Sequence, residues 1–88
     1  MEFKVLLEKK AKKDLDKINK SMQARIFIKI KKLSKYPHLG KQLLGKLKGL
    51  YSLRVWPYRV IYEIDKLNQV IIILAIGHRQ KIYQELKN

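Results

Sequence analysis

Residues 51–65 read Tyr-Ser-Leu-Arg-Val-Trp-Pro-Tyr-Arg-Val-Ile-Tyr-Glu-Ile-Asp, and they predict a pair of antiparallel strands. Aromatic and β-branched residues dominate both halves, which suits the half-buried surface of a sheet. Side chains along a strand point alternately to its two faces. Leu53 and Val55 therefore share one face, while Arg54 lies on the other. If the apolar set of the second strand faces the same way, Arg59 joins Arg54 on the opposite face.

The sequence on either side of the second strand predicts a three-stranded meander. Pro57 has no N–H to give to a strand ladder, so the turn falls at Trp56-Pro57. A second turn is predicted at residues 65–68, and the apolar run from Val70 to Ile76 follows it. Because this run does not alternate, we expect it to be a central strand buried on both faces. Gly77 ends it, and a short helix is predicted over Gln80 to Lys87.

The N-terminal half predicts one strand and a helical hairpin. Phe3 to Leu7 is rich in residues that favour strands, and the later apolar residues recur every three or four positions, as on one face of a helix. Ser21 is the predicted cap of the second helix. The Tyr36-Pro37-His38 segment ends that helix, since the residue before a proline is driven out of the helical region. The helical stripes are Ala11, Leu15 and Ile18, then Met22, Ile26, Ile30 and Leu33.

This order of elements predicts a single α+β domain over residues 1–88, built in two layers. The N-terminal strand and helical hairpin pack on a mainly antiparallel four-stranded sheet, and a short C-terminal helix completes the chain. The hairpin covers one face of the sheet and leaves the other partly open. Leu39 to Gly49 is interpreted as an ordered loop that leads into the strands.

Composition limits the function before any motif is considered. The 88 residues carry 21 Lys and Arg against 7 Asp and Glu, a net charge of +14, and contain no cysteine. A disulfide framework, a cysteine zinc site and a thiol nucleophile are therefore excluded. The N-terminus does not resemble a signal peptide, and the longest apolar run is too short to span a membrane. We expect a cytoplasmic protein that binds a polyanion and needs no metal or other cofactor.

The two kinds of basic residue are distributed differently. Eleven of the 17 lysines lie in residues 1–35, and we interpret them as a solvated helix face or a surface for docking on a polyanion. Arg54, Arg59 and Arg79 lie instead in the lysine-poor part of the chain. Arginine grips phosphate with a planar fork that stays protonated. Tyr83, four residues after Arg79, is placed one helical turn away. The sequence thus predicts a basic surface suited to a phosphate.

Two segments carry a resemblance to a known family. Leu53-Arg54-Val55 followed by residues 58–64 resembles the central signature of the RelE/ParE toxin superfamily, and residues 77–83, Gly-His-Arg-Gln-Lys-Ile-Tyr, resemble its second signature. Residues 11–18 also fit, so the resemblance covers essentially the whole chain. The RelE-like branch cleaves messenger RNA in the ribosome without a metal. In that branch the RNA's own 2′-hydroxyl attacks the neighbouring phosphate.

The resemblance also implies roles for individual residues and a partner. Arg59 and Arg79 would hold the scissile phosphate, Arg54 would stabilise the same charge or the leaving group, and Tyr83 would orient the substrate or assist proton transfer. The partners implied are the ribosome, messenger RNA and an acidic antitoxin, which we expect to cover the arginine face or to displace the last helix. Lys46, Lys48 and His78 are interpreted as RNA-binding residues.

The sequence leaves the general base and the precise target open. Some RelE members carry two lysines on the strand where this chain has Ser52 and Arg54, and an arginine side chain practically never loses the proton that a base must first give up. The other candidates for the general base are Lys46, Lys48, His78 and Tyr83. A gyrase-poisoning toxin of the ParE branch is one alternative function. A non-catalytic basic RNA-binding domain is the other.

Overall fold

The computed structural model describes residues 2–87 and confirms the α+β architecture. A twisted sheet forms one layer and a helical hairpin forms the other, with a short helix at the end of the chain. In chain order the elements are β1 (Lys4–Leu7), α1 (Lys9–Asp16), α2 (Lys20–Lys32), β2 (Lys41–Gln42), a 3-10 turn (Gly45–Leu47), β3 (Tyr51–Val55), β4 (Tyr58–Asp65), β5 (Val70–His78) and α3 (Ile82–Lys87).

The sheet has the strand order β1-β5-β4-β3-β2. β1 runs parallel to β5, and every other neighbouring pair is antiparallel. β5 lies between two strands, as its unbroken apolar sequence predicted. The β3–β4 register places Arg54 directly opposite Arg59. An irregularity between Ile61 and Tyr62 shifts the β4–β5 pairing by one residue, as a β-bulge does.

The main hydrophobic core lies between the helical hairpin and the sheet. Ala11 of α1 and Ile26 of α2 are fully buried there against Val60 and Tyr62 of β4. Two hydrogen bonds close the hairpin: the side-chain amide of Gln23 donates to the carbonyl oxygens of Leu15 and Ile18 at 2.9 and 2.7 Å. These bonds add a side-chain donor to carbonyls at the C-terminal end of α1, where the Leu15 carbonyl also accepts the Ile18 N–H at 3.0 Å.

The opposite face of the sheet is less open than the sequence suggested. Ile61, Ala75 and Ile82 form a second buried cluster, which brings α3 down onto the middle of the sheet. Gly77 makes this approach feasible, since a Cβ built at that position would lie 2.8 Å from the Ile82 Cδ1 atom. On this side of the sheet, Lys41 and Arg54 are exposed beside β3, and Arg79 is exposed just before α3.

Several local predictions need correction. β5 continues through Gly77 to His78 instead of ending at Gly77. The sheet has five strands instead of four, because Lys41 and Gln42 of the predicted loop pair with β3. Asn19, and not Ser21, caps α2: its side-chain oxygen accepts the Met22 N–H at 3.0 Å. α2 ends at Lys32, before the Tyr36-Pro37 signal, and α3 begins at Ile82 instead of Gln80.

Among the described residues, no helix has the length and apolar character needed to cross a membrane.

Candidate phosphate-binding site

Two arginines face each other across neighbouring strands. Arg54 of β3 and Arg59 of β4 are directly paired, and directly paired residues of antiparallel strands project from the same face. Gly77 of β5 lies next to Arg59 on the other side and adds no side chain to this row. Like charges placed opposite each other destabilise a strand pair. An anion placed between the two guanidinium groups would relieve that repulsion.

Arg79 joins this pair through the turn between β3 and β4. Its backbone N–H donates to the Pro57 carbonyl at 2.9 Å, which fixes the start of the segment after β5 beside the turn. Its guanidinium carbon lies 4.2 Å from the centroid of the Trp56 ring, and that of Arg54 lies 5.1 Å from the same centroid. The distance between the two guanidinium carbons therefore cannot exceed the sum of these two distances. Trp56 holds both by cation–π contact.

A hydroxyl pair lies next to the arginines. The Ser52 and Tyr83 hydroxyl oxygens are 2.9 Å apart and share a hydrogen bond, and Arg59 Nη1 donates to the Ser52 oxygen at 3.4 Å. Ser52 is 1% exposed, whereas Tyr83 is half-buried against the cluster under α3. Tyr83 is thus tied to the arginine row through Ser52. The predicted helical spacing from Arg79 is wrong, because Arg79 precedes the first turn of α3.

Lys41 is a cation of this face that the sequence pattern did not predict. Lys41 of β2 pairs directly with Ser52, so its side chain projects from the face that carries Ser52 and Arg54. It also lines a cavity of about 310 Å³ together with Tyr83. A two-residue strand gives almost no periodic signal, and for that reason the pattern predicts a loop at this position.

Among the described side chains, no acidic group forms an ion pair with these cations. Among the side chains of residues 2–86, the one ion pair joins Lys10 and Asp14 at 2.7 Å. Within the same residues, His, Asp and Glu do not gather into a group of three that could hold a metal. The arginine row, Trp56 and the Ser52–Tyr83 pair thus form a site whose chemistry suits a phosphate group. We call Arg54, Arg59, Arg79, Ser52, Tyr83 and Lys41 the phosphate site.

The three other predicted RNA-binding residues lie apart from this row. Lys46 is in the 3-10 turn and Lys48 caps its end, and both are exposed on the loop that contacts α3. His78 pairs with Tyr58, whose side chain packs on the main core, so it projects from the helix side of the sheet, away from Arg59. Its Nδ1 atom accepts the Gln80 N–H at 3.3 Å, and its ring lies 6.0 Å from that of Tyr58.

Comparison with known proteins shows the family of this chain. A family model described as the ParE toxin of type II toxin–antitoxin systems, parDE, matches residues 5–83. The toxin RelG of Mycobacterium tuberculosis is 33% identical over 86 residues, which cover 96% of this chain and 99% of the relative.

Solved structures show the same likeness. A chain of a RelBE toxin–antitoxin complex from Mycobacterium tuberculosis has a TM-score of 0.84 and 31% identity, with 90% of this chain and 100% of that chain covered. A chain of the archaeal RelE–RelB complex from Pyrococcus horikoshii has a TM-score of 0.73 and 28% identity, with 90% and 97% covered. The fold and the family-model match together place the chain in the class of toxins of type II toxin–antitoxin systems. The chain belongs to the RelE/ParE toxin superfamily, as the two sequence signatures indicated.

Proposed function

We propose that this toxin is a ribosome-dependent endoribonuclease that cuts messenger RNA and so inhibits translation. The observation that carries the proposal is the row of guanidinium groups without carboxylate partners among the described side chains, with Arg54 opposite Arg59 and both Arg54 and Arg79 on Trp56. In such a row the positive charges lie close together, so that they can act on the same bound phosphate. Fixed charge is most effective where negative charge grows during a reaction, as it does on the oxygens of a phosphate under attack.

The proposed reaction uses the substrate's own nucleophile and requires no metal. The RNA 2′-oxygen forms a bond to phosphorus while the bond from phosphorus to the 5′-oxygen breaks, leaving a 2′,3′-cyclic phosphate and a 5′-hydroxyl. One proton leaves the 2′-hydroxyl and one reaches the departing 5′-oxygen. Arg59 and Arg79 hold the phosphate, and Arg54 stabilises the charge of the transition state or of the leaving oxygen.

Tyr83 and Lys41 complete the proposed site. The hydrogen bond to Ser52 fixes the Tyr83 hydroxyl near Arg59, where it can orient the RNA or pass a proton. Lys41 supplies an ammonium group beside Ser52, on the face where some relatives carry strand lysines. Unlike arginine, a lysine can lose its proton in a suitable environment and act as a base. Lys46 and Lys48 would contact the RNA backbone from the neighbouring loop.

The proposal includes an antitoxin partner, because the structural relatives include toxins in complex with RelB antitoxins. A chain of net charge +14 favours an acidic partner. A segment of that partner laid across the arginine row would supply the carboxylate partners that these arginines do not have among the described side chains, and it would block access to RNA.

The test is message cleavage on translating ribosomes by the unmodified chain and by Arg79→Ala. Removing one group that stabilises a transition-state oxyanion typically costs about 10²–10³ in rate, so we expect a loss of that order. Arg79→Lys should recover only part of it, because an ammonium lacks the bidentate fork. Lys66→Ala is the matched control, since it removes one exposed cation from the β4–β5 turn. Equal rates for Arg79→Ala and Lys66→Ala would refute the assignment of Arg79.

A gyrase-poisoning function is the second candidate, because the matching family model carries the name ParE. The same preparations should therefore be assayed for stalled gyrase. Stalled gyrase together with intact messages would replace the nuclease proposal with this one. Binding to RNA without either activity would assign a non-catalytic role.

A further inference from the structure

A groove on the helix side of the phosphate site is left unused by the proposed reaction. β2 pairs only with Tyr51 and Ser52, so the edge of β3 from Leu53 to Val55 has no strand neighbour on that side within the described chain. The groove runs along this free edge between α2 and the β3–β4 turn and encloses about 370 Å³. That volume lies within the range of small-ligand sites. Its lining consists of Arg25, Ile28, Lys29, Arg54, Val55 and Trp56.

Two of the lining residues provide apolar walls. Trp56 is 50% exposed, and Ile28 is 60% exposed on α2, where Phe27 is 52% exposed beside it. An isolated exposed apolar side chain is ordinary on a protein surface. Here, however, a flat indole and a branched aliphatic side chain border the same groove. Such walls suit a flat aromatic ring, since nucleobases stack on aromatic side chains without regard to base identity.

The polar residues that line the groove are all cations. Arg25 and Lys29 are one helical turn apart on α2, so they project from the same side of the helix. Arg54 belongs to both the groove and the phosphate site. None of the six lining residues is acidic, and none of the three cations forms an ion pair among the described side chains. The groove therefore combines apolar walls with positive charge, the combination that single-stranded nucleic acid requires.

We infer that this groove is a nucleotide-binding subsite for single-stranded RNA, in which Trp56 and Ile28 hold the base next to the scissile phosphate and Arg25 and Lys29 hold the following phosphate. The inference rests on the proposed function, because it takes RNA as the ligand of the phosphate site. An RNA strand bound at Arg54 and Arg79 must continue in both directions, and the groove begins at Arg54. Trp56 then acts twice: it positions the two arginines and it presents a stacking surface.

Trp56 is the single tryptophan of the chain, so its fluorescence reports on this subsite directly. The probes are two short 2′-O-methyl RNA oligonucleotides, which cannot react because the nucleophilic hydroxyl is blocked. One is complete, and the other lacks a base next to the central phosphate. We expect the complete oligonucleotide to quench Trp56 and to bind roughly tenfold more tightly than the abasic one. Equal quenching and equal affinity for both would overturn the subsite.

Variants separate the groove from general charge attraction. Arg25→Ala combined with Lys29→Ala should weaken binding of a dye-labelled oligonucleotide and reduce its salt slope by about 0.7 for each phosphate that the variant no longer neutralises. Lys31→Ala with Lys32→Ala removes the same charge from the same helix outside the groove and is the matched control. Trp56→Phe should retain more affinity for the complete oligonucleotide than Trp56→Leu. Equal losses of affinity for the two double variants would contradict the inference.

Two further outcomes are distinguishable. Quenching that requires the base, in a chain that never cuts messages, would leave the subsite standing and remove the proposed nuclease function. Quenching by an acidic peptide but not by either oligonucleotide, with the same dependence on Arg25 and Lys29, would overturn the subsite and assign the groove to an acidic protein segment.

Discussion

Tyr62 shows how a single residue of the core holds the loop before β2. Its side chain is fully buried, and its hydroxyl donates to the Pro37 carbonyl at 2.7 Å and accepts the Gly40 N–H at 2.9 Å. Gly40 must approach closely for this contact, since a Cβ there would lie 2.8 Å from the Tyr62 hydroxyl oxygen. Tyr62 therefore fixes the chain just before Lys41, the cation that β2 brings to the phosphate site.

Replacing Tyr62 by Phe should destabilise the protein by about 1–3 kcal/mol, because a carbonyl and an N–H packed against it lose their partner. Tyr36→Phe is the control: this ring is exposed, and we expect a change within about 0.5 kcal/mol. Urea unfolding at neutral pH measures both. A cost for Tyr62→Phe no larger than for Tyr36→Phe would show that the two hydrogen bonds contribute nothing.

The same pair of proteins gives a pH test. Burial raises the pKa of the Tyr62 hydroxyl above its usual value of 10.0, although the Gly40 N–H lowers it in part. A raised folded-state pKa means that the neutral hydroxyl stabilises the folded protein fully below about pH 10. That contribution is lost as the pH rises from about 10 through the folded-state pKa. The difference in stability between the unmodified chain and Tyr62→Phe should therefore shrink above about pH 10. A stability difference that stays constant above about pH 10 would contradict the raised pKa of Tyr62.

At the scale of elements, hydrogen-bonding side chains determine where helices begin and how they attach to the sheet. The Asn19 side chain caps α2, and Ser21 donates to the Asn19 oxygen at 2.8 Å instead of capping the helix itself. The Asp14 carboxylate of α1 accepts the Ile76 N–H at 3.0 Å, beyond the stretch where β1 pairs with β5. Both contacts supply partners for backbone groups that regular structure leaves unsatisfied.

Asn19→Ala should lower stability by about 1 kcal/mol, the usual cost of losing a helix N-cap. For a domain of this size the melting temperature then falls by about 4–8 °C. Ser21→Ala is the matched control on the same turn, and its effect should be clearly smaller because the Met22 N–H keeps its acceptor. Calorimetry of the two variants decides which residue is the cap. A larger loss for Ser21→Ala would reverse the assignment.

At the scale of the whole molecule, the charge has two parts. Lysines coat the helical layer, while the arginine row and Lys41 lie at the other face of the sheet. The described side chains form one ion pair, so this field is almost entirely uncompensated among them. An uncompensated field accelerates the approach of an acidic partner or of RNA more than it strengthens the final complex.

Association with the proposed acidic antitoxin should therefore depend strongly on salt. Raising the ionic strength from about 0.1 M to 1 M shortens the screening length from about 10 Å to 3 Å. We expect the association rate to fall by at least about tenfold, with a smaller change in the dissociation rate. Stopped-flow mixing at several salt concentrations measures both rates. An association rate that ignores salt would show that apolar contacts govern the encounter.

The sequence by itself determined the fold class, the family and the sheet face of Arg54 and Arg59. These properties follow from local patterns. Alternation along one strand, for example, already places Arg54 on the other face of the sheet from Leu53 and Val55. The Arg54–Arg59 pairing was also predictable, because a tight turn leaves little freedom in the register of adjacent strands.

Only the tertiary structure decided which distant segments complete the site. Lys41 pairs with Ser52 in a strand of only two residues, and Trp56 contacts two arginines in a turn. The Tyr83 hydroxyl bonds to Ser52, although the predicted helical spacing of Tyr83 from Arg79 was wrong. Each of these contacts depends on packing between parts of the chain that are remote in sequence or lie in turns without periodicity. Local propensity carries no information about such contacts, because their free energy comes from partners that exist only in the folded chain.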